Sequence, residues 1–426
     1  MNLLIQSVRI VNPNSGLQDN KVDIYIENGI YHTIADSISP TTCKNGTEIF
    51  NASGNFISIG WFDMHVNFRE PGFEQKENIL SGQRAAAAGG FTGVAIMPSV
   101  IPVLQTRADI EFVMSKSKGN ITDIYPIGAL TVNSEGKELT EMYDMKLGGA
   151  VAFTDDKRSI QNSGIMMRAM QYVDQIDSRL IVYCDDEGLT GETSANESLN
   201  TLLLGLKGSP AIAEEIAIER HLSLCRYTGT SMHFTGVSTK EGIDKIREAK
   251  KNGMPITCEV AVHHLVLTDE SLEEFDTNYK VKPPLRSKED VAELRIALAD
   301  GIIDVITSDH SPEDKESKQV EWDFAAYGII GLESLFGLIC PLLSDKFPLS
   351  KLIEMITSNP RKIMGLKNPE IKVGEKADFT IFKTDLDWIF KASNIRSLSS
   401  NSPFIGKKMK GKAIAIGNNN LFQLID

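Results

Sequence analysis

Apolar positions along this chain follow two rhythms, and the change between them divides it. Residues 3–11 and 22–26 alternate as half-buried strands do, Glu27-Asn28-Gly29 has hairpin-turn chemistry, and residues 30–34 form the return strand. From residue 57 short apolar runs take turns with longer amphipathic stretches. Strands are predicted at 57–65, 93–98, 123–129, 150–154, 179–184, 231–235, 255–260 and 304–307. Helices are predicted at 76–90, 108–116, 159–175, 210–227, 240–251 and 288–299. Residues 312–328 read as a charged and aromatic loop, 335–343 and 349–357 as helices, and 406–411 as a turn. Strand rhythm returns at 378–382, 412–416 and 421–424.

Eight strands, most of them followed by a helix, predict an α/β protein built on a (β/α)8 TIM barrel rather than an open sheet. The β-rich ends are each too small to stand alone. The expected organisation is therefore a barrel over 55–374 and a small β-sandwich joining 1–54 to 375–426.

Composition narrows the function classes. The chain has 426 residues, 42% of them hydrophobic, and a formal charge of −13, which excludes nucleic acid and anionic membrane surfaces as partners. There is no basic, apolar leader and no apolar run of membrane-spanning length, so a cytoplasmic location is expected. The five cysteines are scattered without a Cys-x-x-Cys, which leaves them as reduced, buried thiols.

Chemistry in such a barrel collects at the C-terminal ends of its strands. Here those ends carry His65, Asn67 and Arg69; Met97-Pro98-Ser99; Thr154-Asp155-Asp156; Tyr183-Cys184-Asp185; Gly236-Val237-Ser238-Thr239; and Ser308-Asp309-His310. Strand seven carries Glu259 and leads to His263-His264. His65 and Asn67, two apart on a strand, leave the same face. By the same alternation only one of Asp155 and Asp156 faces the centre, taken to be Asp155, and at most one of His263 and His264 does. His233 and His310 read as structural or orienting neighbours.

Several segments now carry a resemblance that runs nearly end to end. They include Asp63-Met64-His65-Val66-Asn67-Phe68-Arg69-Glu70-Pro71-Gly72, Ala152-Phe153-Thr154-Asp155-Asp156, Lys282-Pro283-Pro284-Leu285-Arg286, Thr307-Ser308-Asp309-His310-Ser311-Pro312 and Asn401-Ser402-Pro403-Phe404-Ile405-Gly406. The chain resembles the dihydroorotases of the amidohydrolase superfamily, the class near allantoinases and hydantoinases. That family closes N-carbamoyl-aspartate to dihydroorotate, reversibly, at a zinc site.

The resemblance implies metal ligands at His65, Asp155 and Asp309, with Asp309 also the catalytic base. It implies substrate contacts at Arg69 and Ser99. Three positions where it places histidine ligands instead hold Asn67, Tyr183 and Gly236, and an amide, a neutral phenol and a bare backbone are poor zinc ligands. Glu313 stands where a substrate-contacting histidine is expected and Lys282 where an asparagine is. A carboxylate at 313 repels an anionic substrate. The expectation is one zinc at most, or none.

Two functions follow from this mixture. The first is a dihydroorotase-like chain of pyrimidine biosynthesis without normal catalysis, expected as a structural partner of aspartate transcarbamoylase or as a homodimer with another regulatory role. The second is an active mononuclear-zinc dihydroorotase, or another hydrolase of small anionic cyclic amides.

Overall fold

The structure is a computed structural model that describes residues 1–11 and 21–426. A parallel strand covered on both faces is buried at every position, and Trp61–Val66 is: all six residues are buried, Asp63 and His65 among them. It begins a ring of parallel strands that continues through Phe91–Ile96 and Asp123–Pro126. A second arc pairs Ile181–Tyr183, Met232–Thr235, Ile256–Ala261 and Val305–Thr307 in that order. Phe153 bridges the two arcs, pairing with Gly128 on one side and Leu180 on the other, and Val66 with His310 closes the ring.

The predicted fourth strand, 150–154, is thus reduced to a single bridging residue. Phe153 still fills its place in the ring and is wholly buried.

Helices pack outside the ring with local signals that explain their limits. Ile79–Gly89 starts at Asn78, whose side chain accepts from the Ser81 amide, and ends at Gly90 with φ 94°. Lys240–Lys251 begins at Thr239, and Lys288–Asp300 between Ser287 and Gly301. Each carries buried aliphatic residues on its inner face.

Both chain ends build one eight-stranded sheet. Its order runs Leu421–Leu424, Lys408–Asn418, Phe379–Ile389, Phe56–Ile59, Leu3–Ile10, Lys21–Glu27, Ile30–Ala35, with Glu48–Asn51 also on the Leu3–Ile10 strand. That strand forks: residues 3–6 pair with 48–51, and Arg9 and Ile10 pair with Phe56 and Ile57. The predicted turn at 406–411 instead lies largely within the strand Lys408–Asn418; Gly411, at φ 82°, sits where its pairing register shifts.

Nor is 57–65 one strand. It divides at Gly60, where a Cβ would come within 1.9 Å of both Asp378 Oδ1 and Thr92 Oγ1. Phe56–Ile59 joins the terminal sheet and Trp61–Val66 the barrel. The joint is held by Trp61, which packs against Phe336 at 4.6 Å and Phe382 at 5.5 Å between ring centroids. Buried Arg361 crosses it too, donating to the carbonyls of Gly60 (2.6 Å) and Thr357 (3.2 Å).

Candidate functional site

His65 leaves the first barrel strand near its C-terminal end and is 2% exposed. Its Nδ1 lies 2.7 Å from Glu259 Oε1, and Thr235 Oγ1 stands 2.8 Å away. Glu259 comes from the seventh strand, and its other oxygen meets His233 Nε2 at 3.3 Å. Glu259 therefore fixes the ring, and turns His65 Nε2 toward Asp156 Oδ1 (3.3 Å) and Asp309 Oδ1 (3.5 Å). His263 approaches the same centre, its Nε2 3.7 Å from Asp309 Oδ2.

The electrostatics follow from this crowding. Burial opposes a charge on His65, but Glu259 and then Asp156 and Asp309 overcome it and raise its pKa well above the ordinary imidazole value. In return, although burial alone would raise it, the Asp156 carboxyl is held down at about 2 by its bond to His65, by the charges of His65 and Lys157, and by Ser99. Glu259 is likewise held low against burial, by His65 and His233.

One expected ligand is elsewhere. Asp155 points away from the centre: its Oδ1 accepts from the amides of Leu130 and Thr131, both at 2.9 Å, and its Oδ2 from the Thr131 hydroxyl. Asp156 faces inward in its place. The alternation used to choose between them holds only in extended backbone, and Asp156 has φ 53°. That left-handed residue also carries the next side chain into the mouth. Lys157 Nζ lies 2.7 Å from each oxygen of Asp309, a contact that the sequence reading missed.

Two of the substituted positions face each other. Gly236, at φ 64°, faces the ring of Tyr183: a Cβ at 236 would lie 3.6 Å from Tyr183 Cδ2 and Cε2. The buried phenol thus packs beside the space a side chain at 236 would occupy. Burial, followed by Asp185 and Glu214, pushes its pKa well above 10, so it stays neutral. Lys282 lies over its outer face, Nζ 5.4 Å from the ring centroid, and pairs with Asp185 at 3.4 Å. Asn67 is 3% exposed, and its side-chain oxygen finds no hydrogen-bond donor.

On the substrate side, Arg69 Nη2 donates to Glu313 Oε1 at 2.8 Å and its Nε to the Pro312 carbonyl at 3.0 Å. Lys76 Nζ takes the other Glu313 oxygen at 2.5 Å. The guanidinium expected to grip a substrate carboxylate already grips one from this chain.

His310 and His264 are turned aside. His310 Nδ1 accepts from the Gly331 amide, while His264 Nε2 lies against the carbonyls of Pro283 and Pro284 and its pKa is driven to about 3 by burial and Arg286. Cys184 and Cys258 are buried thiols whose pKa burial raises.

Zinc needs three good ligands in one shell. Among the described residues no group of three or more His, Cys, Asp or Glu side chains could hold a metal ion. His65, Asp156 and Asp309 converge, but Asp309 is already bound through both oxygens to the Lys157 ammonium, and Asn67, Tyr183 and Gly236 add no good ligand. The residues present do not fit the family's metal. No helix among the described residues is long and apolar enough to cross a membrane.

Comparison with known proteins gives the family of the chain. The family described as Dihydro-orotase-like matches residues 54–242. A dihydroorotase of Pelobacter propionicus is 40% identical over 417 residues, 97% of each chain. One of Pelotomaculum thermopropionicum is 42% identical over 414 residues, 96% of each. Among solved structures, an L-hydantoinase from Arthrobacter aurescens superposes with a TM-score of 0.85 at 23% identity, covering 99% of this chain and 95% of that one. The last is a likeness of fold alone.

Proposed function

Because the chain belongs to the dihydroorotase family, we propose that it serves pyrimidine biosynthesis as a non-catalytic dihydroorotase-like protein. The observation that carries this reading is the fitted replacement at the barrel mouth. Tyr183 packs against Gly236, and Asn67 holds the third place where a histidine ligand is expected. Catalytic and binding groups are altered together, for Arg69 is closed by Glu313. A chain with an intact barrel and these replacements is suited to be a subunit rather than a catalyst. The natural role is a cytoplasmic homodimer that partners aspartate transcarbamoylase.

A second reading has its own support. The named relatives match along almost the whole chain. His65 is oriented by a carboxylate, as metal-bound histidines commonly are. On this reading the protein is a mononuclear-zinc dihydroorotase in which Asp309 moves the proton and Arg69 holds the substrate carboxylate.

Cyclisation of N-carbamoyl-aspartate by the purified protein, with and without added zinc, separates the two. The first predicts no turnover above the uncatalysed rate in either condition. Zinc-dependent turnover that disappears in Asp309→Asn would end it and establish the second.

A further inference from the structure

We infer that the Lys157 ammonium is the resident counter-cation of the barrel mouth, seated where this family carries its metal, so that part of the site's negative charge is offset by the chain itself. The inference rests on the non-catalytic reading and gives it a physical cause. Three carboxylates, Asp156, Glu259 and Asp309, meet around one imidazole, and their side chains are 5%, 1% and 5% exposed. Buried carboxylates persist only when paired. His65 stands between them, 2.7, 3.3 and 3.5 Å from Glu259, Asp156 and Asp309. One imidazole against three carboxylates leaves an excess of negative charge that calls for a cation.

Lys157 enters at that point. Its ammonium lies 2.7 Å from both Asp309 oxygens, while 19% of its side chain keeps contact with water. The local backbone explains how it arrives. Asp155 is tied down by the amides of Leu130 and Thr131, Asp156 turns through φ 53°, and residue 157 is swung over the mouth. The other groups around Asp309 do not take its place: His263 Nε2 stands off at 3.7 Å without a hydrogen bond, and Arg69 is taken by Glu313. A divalent ion on Asp309 would have to displace the ammonium or share its oxygens with it, and like charges at such distances repel strongly. Lys157 and a metal are therefore alternatives.

The test is zinc titration by calorimetry, with thermal melting in chelator and in zinc, on the wild-type chain, Lys157→Met and Lys157→Arg. Wild type and Lys157→Arg should show no zinc-dependent rise in melting temperature. Lys157→Met should melt several degrees lower in chelator, recover with zinc, and bind zinc at least about tenfold more tightly than wild type. Should Lys157→Met not accumulate as folded protein, the double variant Lys157→Met/Asp309→Asn decides the matter. It removes both charges and should melt close to wild type; melting as low as a single variant would refute the pairing. Wild type binding zinc as tightly as Lys157→Met, or Lys157→Met melting like wild type without metal, would overturn the inference. These readouts are independent of turnover. An inactive wild type beside a zinc-blind Lys157→Met sinks only the role of Lys157, whereas zinc-dependent turnover by wild type sinks the non-catalytic reading.

Discussion

Replacing Glu313 by glutamine keeps its shape but releases two cations at once. In the folded protein its carboxylate takes Arg69 at 2.8 Å and Lys76 at 2.5 Å, with side-chain exposures of 5%, 14% and 18% for the three groups. Two unit charges near 4 Å attract by about 4 kcal/mol at an effective dielectric of 20. Partial exposure and desolvation reduce the net value of such charge-assisted pairs to about 1–2 kcal/mol. A small dicarboxylate entering the mouth of Glu313→Gln finds that attraction available, where in wild type it meets an occupied guanidinium and a repelling carboxylate. Calorimetric titration with N-carbamoyl-aspartate should show affinity rising about 5–30-fold over wild type. The gain should shrink as salt is raised. Unchanged or weaker binding would refute the view that Glu313 closes Arg69 against anions. Glu313 would then be a plain surface-loop anchor.

The remaining predictions concern the centre, the joint and the loop. Asp156→Asn should shift the His65 imidazole resonances while Asp155→Asn leaves them in place, and Asp155→Ala should cost about 2–3 kcal/mol of stability by freeing two amides and a hydroxyl; the reverse pattern would restore Asp155 to the centre. Arg361→Met should lower the melting temperature by about 3–6 °C, since it leaves Asp378 without its buried partner at 3.4 Å at a cost of about 3–5 kcal/mol in a chain whose unfolding entropy is about 0.9 kcal/mol/K. Lys318 has its pKa pushed down to about 7, first by burial, so above pH 7 the unfolded chain holds a proton that the folded one has lost. Stability of wild type relative to Lys318→Met should then rise by up to about 1.4 kcal/mol per pH unit between pH 7 and 10, measured by urea unfolding; a flat difference would contradict the depressed value.

Much of the barrel is legible in the sequence because parallel strands buried on both faces leave continuous apolar runs, and because Asn78, Ser287 and Gly301 mark helix ends by chemistry that acts within a few residues. The fourth strand misleads for a related reason. Residues 150–154 have a strand's apolar pattern, but only Phe153 pairs. Candidate residues at strand ends are legible for the same reason as the strands. What that pattern does not carry is direction once the chain leaves extended geometry. One left-handed residue, Asp156, exchanges Asp155 for itself and delivers Lys157 as well. Nor do local patterns reveal partners far apart in the chain. Arg69 and Glu313 are 244 positions apart, and His65 and Glu259 are 194 apart. The inward alternation of the seventh strand offered a signal for Glu259; nothing local offered one for the closure of Arg69. The fit between Tyr183 and Gly236 is of the same kind. Each reads alone as a lost ligand, and only the folded ring shows one filling the space beside the other.

The central proposal is that this member of the dihydroorotase family carries the Lys157 ammonium at its barrel mouth in place of a metal. Elemental analysis of the full-length protein, isolated from its native cell without chelators, tests it most directly. The account predicts zinc and other transition metals far below one atom per chain. One or more tightly held zinc ions per chain would contradict it.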